Sequence, residues 1–137
     1  MNDLFFRSRK KKATIVVIDD DPAVVGLLKD DLENEGYLVV TGSDGQMAVS
    51  LARTHSPHLI IMDIKMPMTN GIKALEYLRG ADVTKEIPVL FISGAKPEEI
   101  FAPIANLPRV SFIKKPIELA QLNATVREFL QKYPRAI

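Results

Sequence analysis

Five short runs of β-branched and other apolar residues, at 14–18, 38–40, 59–62, 89–92 and 110–113, punctuate a chain whose intervening segments have helical period. That alternation constrains the fold more than any other feature, because strands separated by helices pair in parallel and are covered on both faces. Three of the runs are apolar almost throughout, which suits strands at the centre of such a sheet. The helices have legible ends. The first opens at Asp21-Pro22, an acid able to cap free N–H groups before a proline at the first helical position. It turns Val24, Leu28 and Leu32 inward and stops at Gly36. The second starts on Ser43-Asp44-Gly45-Gln46, a capping-box spacing, and is expected to carry Met47 and Leu51 inward. The third covers 70–79 and stops at Gly80. The last sets Leu119, Leu122, Val126 and Phe129 on one face until Tyr133-Pro134 closes it.

Five strands, intervening helices and one trailing helix predict an α/β, flavodoxin-like (βα)5 architecture, with a five-stranded parallel sheet of order 2-1-3-4-5 and helices on both faces. In that order the first, third, fourth and fifth strands are neighbours. Each of the four is succeeded by polar residues: Asp19-Asp20-Asp21, then Asp63, then Ser93-Gly94, then Lys114-Lys115-Pro116. All emerge on one edge of the sheet, where ligands of open α/β folds bind.

Asp21 is accounted for as a helix cap, which leaves Asp19 and Asp20 facing the crevice. Taken alone they read equally well as a solvated acidic turn. Asp63 changes the balance, since a third carboxylate ending a buried strand repels the other two unless a cation compensates. Mg²⁺ fits, keeping several waters while accepting one or two carboxylates and substrate phosphate oxygens, and a backbone carbonyl at Lys65 is a further candidate ligand. Three carboxylates give −3, and Mg²⁺ with Lys115 gives +3, so cations stand ready for the oxygens of a phosphoryl group in flight. Asp63 is then the nucleophile and acceptor, Ser93 a hydroxyl donor to the bound phosphoryl group and Lys115 its counter-charge. In isolation Ser93 is a strand-end turn former and Lys115 a surface charge.

Composition sets the outer bounds. At 137 residues, with 47% hydrophobic residues, there is room for one ordinary domain. With no cysteine there is no disulfide framework or thiolate site, and no apolar run is long enough to span a membrane. The cytoplasm is the expected location. Arg7, Arg9, Lys10, Lys11 and Lys12 crowd the first twelve residues, and without that arm thirteen basic side chains face sixteen acidic ones. A body of that sign is a poor general nucleic-acid binder. The expected divisions are a basic arm over 1–12, a domain over 13–133 and a tail over 134–137, with no output domain after it.

The motifs Ile15-Val16-Val17-Ile18-Asp19-Asp20-Asp21-Pro22, Met62-Asp63-Ile64-Lys65-Met66-Pro67-Met68-Thr69-Asn70-Gly71, Leu90-Phe91-Ile92-Ser93-Gly94 and Phe112-Ile113-Lys114-Lys115-Pro116 resemble those of a response-regulator receiver domain. The resemblance covers residues 13 to 133. It implies a two-component signalling protein rather than an enzyme, with Asp63 as phosphoacceptor, Asp19 and Asp20 as the acid pair for Mg²⁺, Ser93 as switch hydroxyl and Lys115 as the lysine before proline. It also implies a histidine kinase or histidine phosphotransfer protein as donor, and a cis Lys115-Pro116 bond. A stand-alone receiver that docks a protein partner is the first expectation, and a module of a larger regulator with a DNA-binding or enzymatic output the second. A Mg²⁺-dependent phosphohydrolase fits less well, because Lys65 stands where such enzymes use a second acid. A flavin site fits least, for want of a phosphate loop after the first strand.

Two departures from the family pattern bear on output. Phe112 stands where the family often has a switch tyrosine, and Pro103 falls within 97–105, the expected helix between the fourth and fifth strands. The partner surface is expected on the 96–109 segment, Phe112 and the exposed side of the last helix. His55 and His58 read as surface or strand-entry residues.

Overall fold

The computed structural model describes residues 12–94 and 107–135. Five strands, β1 (Thr14–Ile18), β2 (Leu38–Gly42), β3 (Leu59–Asp63), β4 (Val89–Ser93) and β5 (Val110–Lys114), form one sheet of order β2-β1-β3-β4-β5, every pairing parallel. Among the described residues the helices are α1 (Pro22–Asn34), α2 (Gly45–His55), α3 (Gly71–Arg79) and α4 (Leu119–Lys132). The helix expected over 97–105, with Pro103, lies outside the described residues.

Two apolar layers sandwich the sheet. On one face Val16, Ile18, Ile60, Met62, Val89 and Phe91 pack against α2 and α3 through Ala48, Ala52, Ala74, Leu75 and Leu78. On the other, Ile15, Val17, Leu59, Ile61, Leu90 and Ile92 meet Leu28 and Leu32 of α1 and Leu122, Val126 and Phe129 of α4. Strict alternation along each strand divides the residues between the layers. Every residue of β3 and β4 is buried, in keeping with their central place. Each large side chain so enclosed contributes roughly 1.5–3 kcal/mol of transfer free energy.

The helix starts correct one detail of the sequence reading. Asp21 caps α1, accepting from the Ala23 N–H at 2.9 Å. The cap of α2 is Asp44, which accepts from Met47 N at 2.9 Å, whereas Ser43 lies one residue outside and its N–H and hydroxyl approach the Met47 sulfur at 3.4 Å. Ala48 and Ala52, rather than the expected Met47, face the sheet, while Leu51 is half-buried against it and Met47 is exposed. Small residues there let α2 lie close to the strands. Asn70 caps α3 through Lys73 N. Gly36, at φ +97°, ends the turn after α1 in a conformation that L side chains rarely adopt.

Candidate functional site

β3, β4 and β5 each run one residue further than their apolar runs, so Asp63, Ser93 and Lys114 close the hydrogen-bonded ladders instead of lying beyond them. A side chain on a ladder is held by the sheet. Asp19 directly succeeds β1 and its N–H donates to Gly42 O at 3.2 Å, which fixes the strand exit. Its carboxylate is 1% exposed, one oxygen accepting from Asp21 N at 2.9 Å and the other from Lys115 Nζ at 2.9 Å. Asp63 is 6% exposed and its Oδ2 lies 3.3 Å from the same ammonium. Asp20 is exposed, and carboxylate oxygens of Asp19, Asp20 and Asp63 all lie within 4.8 Å of one another. The sequence-predicted acids and lysine therefore meet at one point.

Electrostatics at that point are unbalanced. Burial, then the charge of Asp19, pushes the Asp63 carboxyl above the usual carboxylate range, and Lys115 only partly opposes this. Burial works against the Lys115 ammonium, but its hydrogen bond to Asp19 and the charges of Asp63 and Asp19 outweigh it and raise the pKa. Three carboxylates and one ammonium leave a local charge near −2. An all-oxygen donor set with that deficit fits a hard divalent cation such as Mg²⁺ and offers nothing to a soft one.

Lys115 reaches the acids because its own N–H donates to Ser93 O at 2.8 Å, tying the end of β5 to the end of β4, and the adjoining Lys115-Pro116 peptide is cis. Ser93 is 1% exposed. In register Phe91 pairs with Phe112 and Ser93 with Lys114, so alternation places Ser93 on the sheet face that holds Phe91 and Phe112. Phe112 is half-buried against the α2–α3 layer. Lys65 is exposed in the loop after β3.

Gly71 is a positioning residue that the reading of charges passed over. Its N–H donates to Ile64 O at 2.8 Å, and a Cβ there would come to 2.5 Å from the Asp63 carbonyl oxygen and 3.0 Å from the Phe91 ring. Gly45 presses likewise on the Thr69 carbonyl, with its N–H donating to that oxygen at 3.1 Å. The loop between Asp63 and α3 is thereby pinned at both its far end and its flank. The Asn70-Gly71 dipeptide was the available signal. His58 is buried at the entry to β3, where its Nδ1 accepts from Thr14 N at 2.9 Å, far from the acids along the sheet; His55 is exposed at the end of α2.

The family model of the response regulator receiver domain matches residues 15–127. The chain is 34% identical over 119 residues to the alkaline phosphatase synthesis transcriptional regulatory protein PhoP of Bacillus subtilis, covering 86% of this chain and 48% of that protein, so it spans about half that relative's length. It is 27% identical over 117 residues to the polar-differentiation response regulator DivK of Brucella anthropi, covering 85% and 95%. Among solved structures it resembles the receiver domain of a signal transduction histidine kinase from Syntrophus aciditrophicus, with a TM-score of 0.81, 26% identity and coverage of 91% and 95%. Sheet order, the acid cluster at the strand ends and these matches lead to one conclusion: the chain belongs to the response regulator receiver domain family of two-component systems.

Proposed function

We propose that this chain, working in the cytoplasm, accepts a phosphoryl group on Asp63 from the phosphohistidine of a histidine kinase or histidine phosphotransfer protein. The observation that carries the reading is the Lys115 ammonium bridging two buried carboxylates, Asp19 and Asp63, with Asp20 beside them and a residual charge near −2. A carboxylate oxygen of Asp63 attacks phosphorus, the P–N bond of the donor breaks, and the leaving imidazole nitrogen takes up a proton. The product is an acyl phosphate. Asp19, Asp20, Asp63 and the Lys65 backbone carbonyl would hold Mg²⁺, which supplies positive charge for the phosphoryl oxygens. Lys115 is close enough to Asp63 to pair with one of those oxygens, and Ser93 ends the adjacent strand, where a hydroxyl can donate to another. The chain's chemistry stops at its own phosphorylation and its hydrolysis, without turnover of a separate substrate.

Output rests on the shared face of Ser93 and Phe112. When the Ser93 hydroxyl moves toward the phosphoryl group, the half-buried Phe112 ring takes the space behind it. Lacking a hydroxyl to hold it at the surface, the ring favours the inward position even at rest. The partner surface then comprises β5, the exposed side of α4 and the segment before β5, and partner affinity rises only modestly on phosphorylation. Amide exchange with and without beryllofluoride should change over 107–112; a change confined to α1 would refute this surface.

Incubation with Mg²⁺ and acetyl phosphate tests the acceptor. A base-labile phosphate adduct is expected by mass spectrometry, absent in Asp63→Asn; undiminished labelling of that variant would end the assignment. A second reading, a module of a longer regulator, is favoured by the match to PhoP, of which this chain covers 48%, while DivK, covered to 95%, favours a stand-alone protein. The mass of the native gene product decides between them.

A further inference from the structure

β2 is an outer strand of the sheet, and among the described residues no strand lies beyond it. It pairs with β1 alone, in unbroken register from Leu38 to Gly42. The Leu38 N–H donates to Ala13 O at 3.0 Å and the Gly42 carbonyl accepts from Asp19 N at 3.2 Å, so both turn toward β1. Alternation then turns the N–H and C=O groups of Val39 and Thr41 outward, where no strand of the sheet meets them. Edge strands are ordinarily blunted by a charge, a proline or a bulge. The other outer strand, β5, ends on the exposed Lys114. The segment from Tyr37 to Ser43 has none of the three devices, although Leu38 is 50% exposed and Val39, Val40 and Thr41 are only half-buried.

A row of outward backbone donors and acceptors is matched by one kind of partner, an extended strand. What favours a second copy of this chain is that β2 complements itself. Laid antiparallel about a two-fold axis at Val40, Val39 N–H donates to Thr41 O of the copy and Thr41 N–H to Val39 O of the copy, with Val40 against Val40 between them. The same axis sets Leu38 opposite the copy's Gly42. A Cβ on Gly42 would lie 3.0 Å from the Met47 Cβ, so a side chain across from this glycine arrives beside Met47. Leu38 and Met47, 50% and 38% exposed, thereby cover each other, and the symmetry repeats the contact. No charged residue stands between 37 and 43 to repel its own image. A foreign strand would have to bring an apolar side chain to the same place, whereas a copy brings it by symmetry.

We propose that β2 is a homodimer interface, two chains joining edge to edge through Val39 and Thr41 about a two-fold axis at Val40, with Leu38 of each on Met47 of the other. β5 and α4 stay free at the outer ends of the joined sheet, and the dimer forms without phosphorylation of Asp63.

The test is sedimentation equilibrium of the full chain over a range of concentrations, with amide exchange alongside. The wild type should associate reversibly to a dimer, and so should Asp63→Asn, which separates this interface from the acceptor assignment. With rising concentration, exchange should slow at Val39 and Thr41 and hold steady at Leu38 and Val40, whose amides already face β1, a readout that needs no variant. Leu38→Lys and Met47→Glu should each weaken self-association about tenfold. Both positions are exposed, and an acid at 47 falls in the first turn of α2, so both variants should fold. Mixed together, the two variants should associate with each other, since the new lysine meets the new glutamate while the remaining Leu38 keeps its Met47. A chain monomeric at every concentration, protection of Val39 and Thr41 that does not change with concentration, a dimer that leaves both amides unprotected, or a mixture no more associated than either variant alone would each overturn the proposal.

Discussion

The two edges of one sheet treat polar groups in opposite ways. At the feet of the strands most are settled within the chain: Thr14 and His58 exchange hydrogen bonds, Val89 N finds Arg109 O at 2.9 Å, Arg79 reaches Ile87 O at 2.8 Å and Arg135 reaches Pro57 O. At the exits, two buried carboxylates share one lysine and a third lies alongside. The difference teaches that stability and chemistry divide the sheet between them. One edge closes the fold, and the other holds an excess of negative charge that a bound cation or a proton on Asp63 would relieve.

Breaking the shared lysine should have the largest effect. Lys115→Met leaves Asp19 and Asp63 buried without a cation, and should cost about 2 kcal/mol in denaturant melts. Added Mg²⁺ should restore more of that loss than it gives the wild type. Equal gains in both would mean that the two cations do not serve the same carboxylates. Next comes Asp20→Ala. Because Asp20 is exposed, stability without metal should stay within about 0.5 kcal/mol. Mg²⁺ affinity by titration should nevertheless fall roughly tenfold, since the site has few protein ligands to lose. Unchanged affinity would remove Asp20 from the site.

A smaller effect of opposite sign is expected for Asp63→Asn in the absence of metal. The raised carboxyl pKa means the folded state holds its proton more tightly than the unfolded chain does. Wild-type stability on this account is lost as pH rises from the unfolded value through the folded one. At neutral pH the variant should be more stable than wild type, and at pH values below both pKa values the gain should vanish. A variant less stable than wild type at pH 7 would contradict the sign. The smallest effect belongs to the closing edge: Arg135→Ala removes one hydrogen bond to Pro57 O and should cost roughly 0.5–1 kcal/mol while leaving acetyl phosphate labelling untouched. Reduced labelling would show that the edges are coupled.

Much of this was legible in the residues. The β-branched runs, their central burial and the sheet order came from periodicity and connection rules, because parallel sheets leave a strong two-sided apolar signal. The meeting of Asp19, Asp20, Asp63 and Lys115 was legible as a set, because acids and a lysine end or follow strands that the predicted order makes neighbours, although each alone has an ordinary structural use. What periodicity could not supply was the end of each strand: Asp63 and Ser93 are polar, yet they still pair in the ladder, since backbone hydrogen bonding does not depend on side-chain hydropathy. The cap of α2 was misplaced by one residue because Ser43 and Asp44 are both good caps, and only packing of Ala48 and Ala52 on the sheet chooses between them. His58 gave no sign that its ring would accept a hydrogen bond from the foot of β1, a long-range pairing without local signature.

The contact between Gly71 and the Asp63 carbonyl bears on how freely such a module can be re-engineered. A library that diversifies the loop over 65–69 explores a region whose exposed members Lys65, Pro67 and Met68 make few demands on the interior. Position 71 is different in kind, because any larger residue would push on the very strand end that carries the acceptor. Sequence freedom in the loop thus ends abruptly at one atom-wide boundary, and a designer who wants new recognition around Asp63 should vary what lies before it and leave the glycine alone.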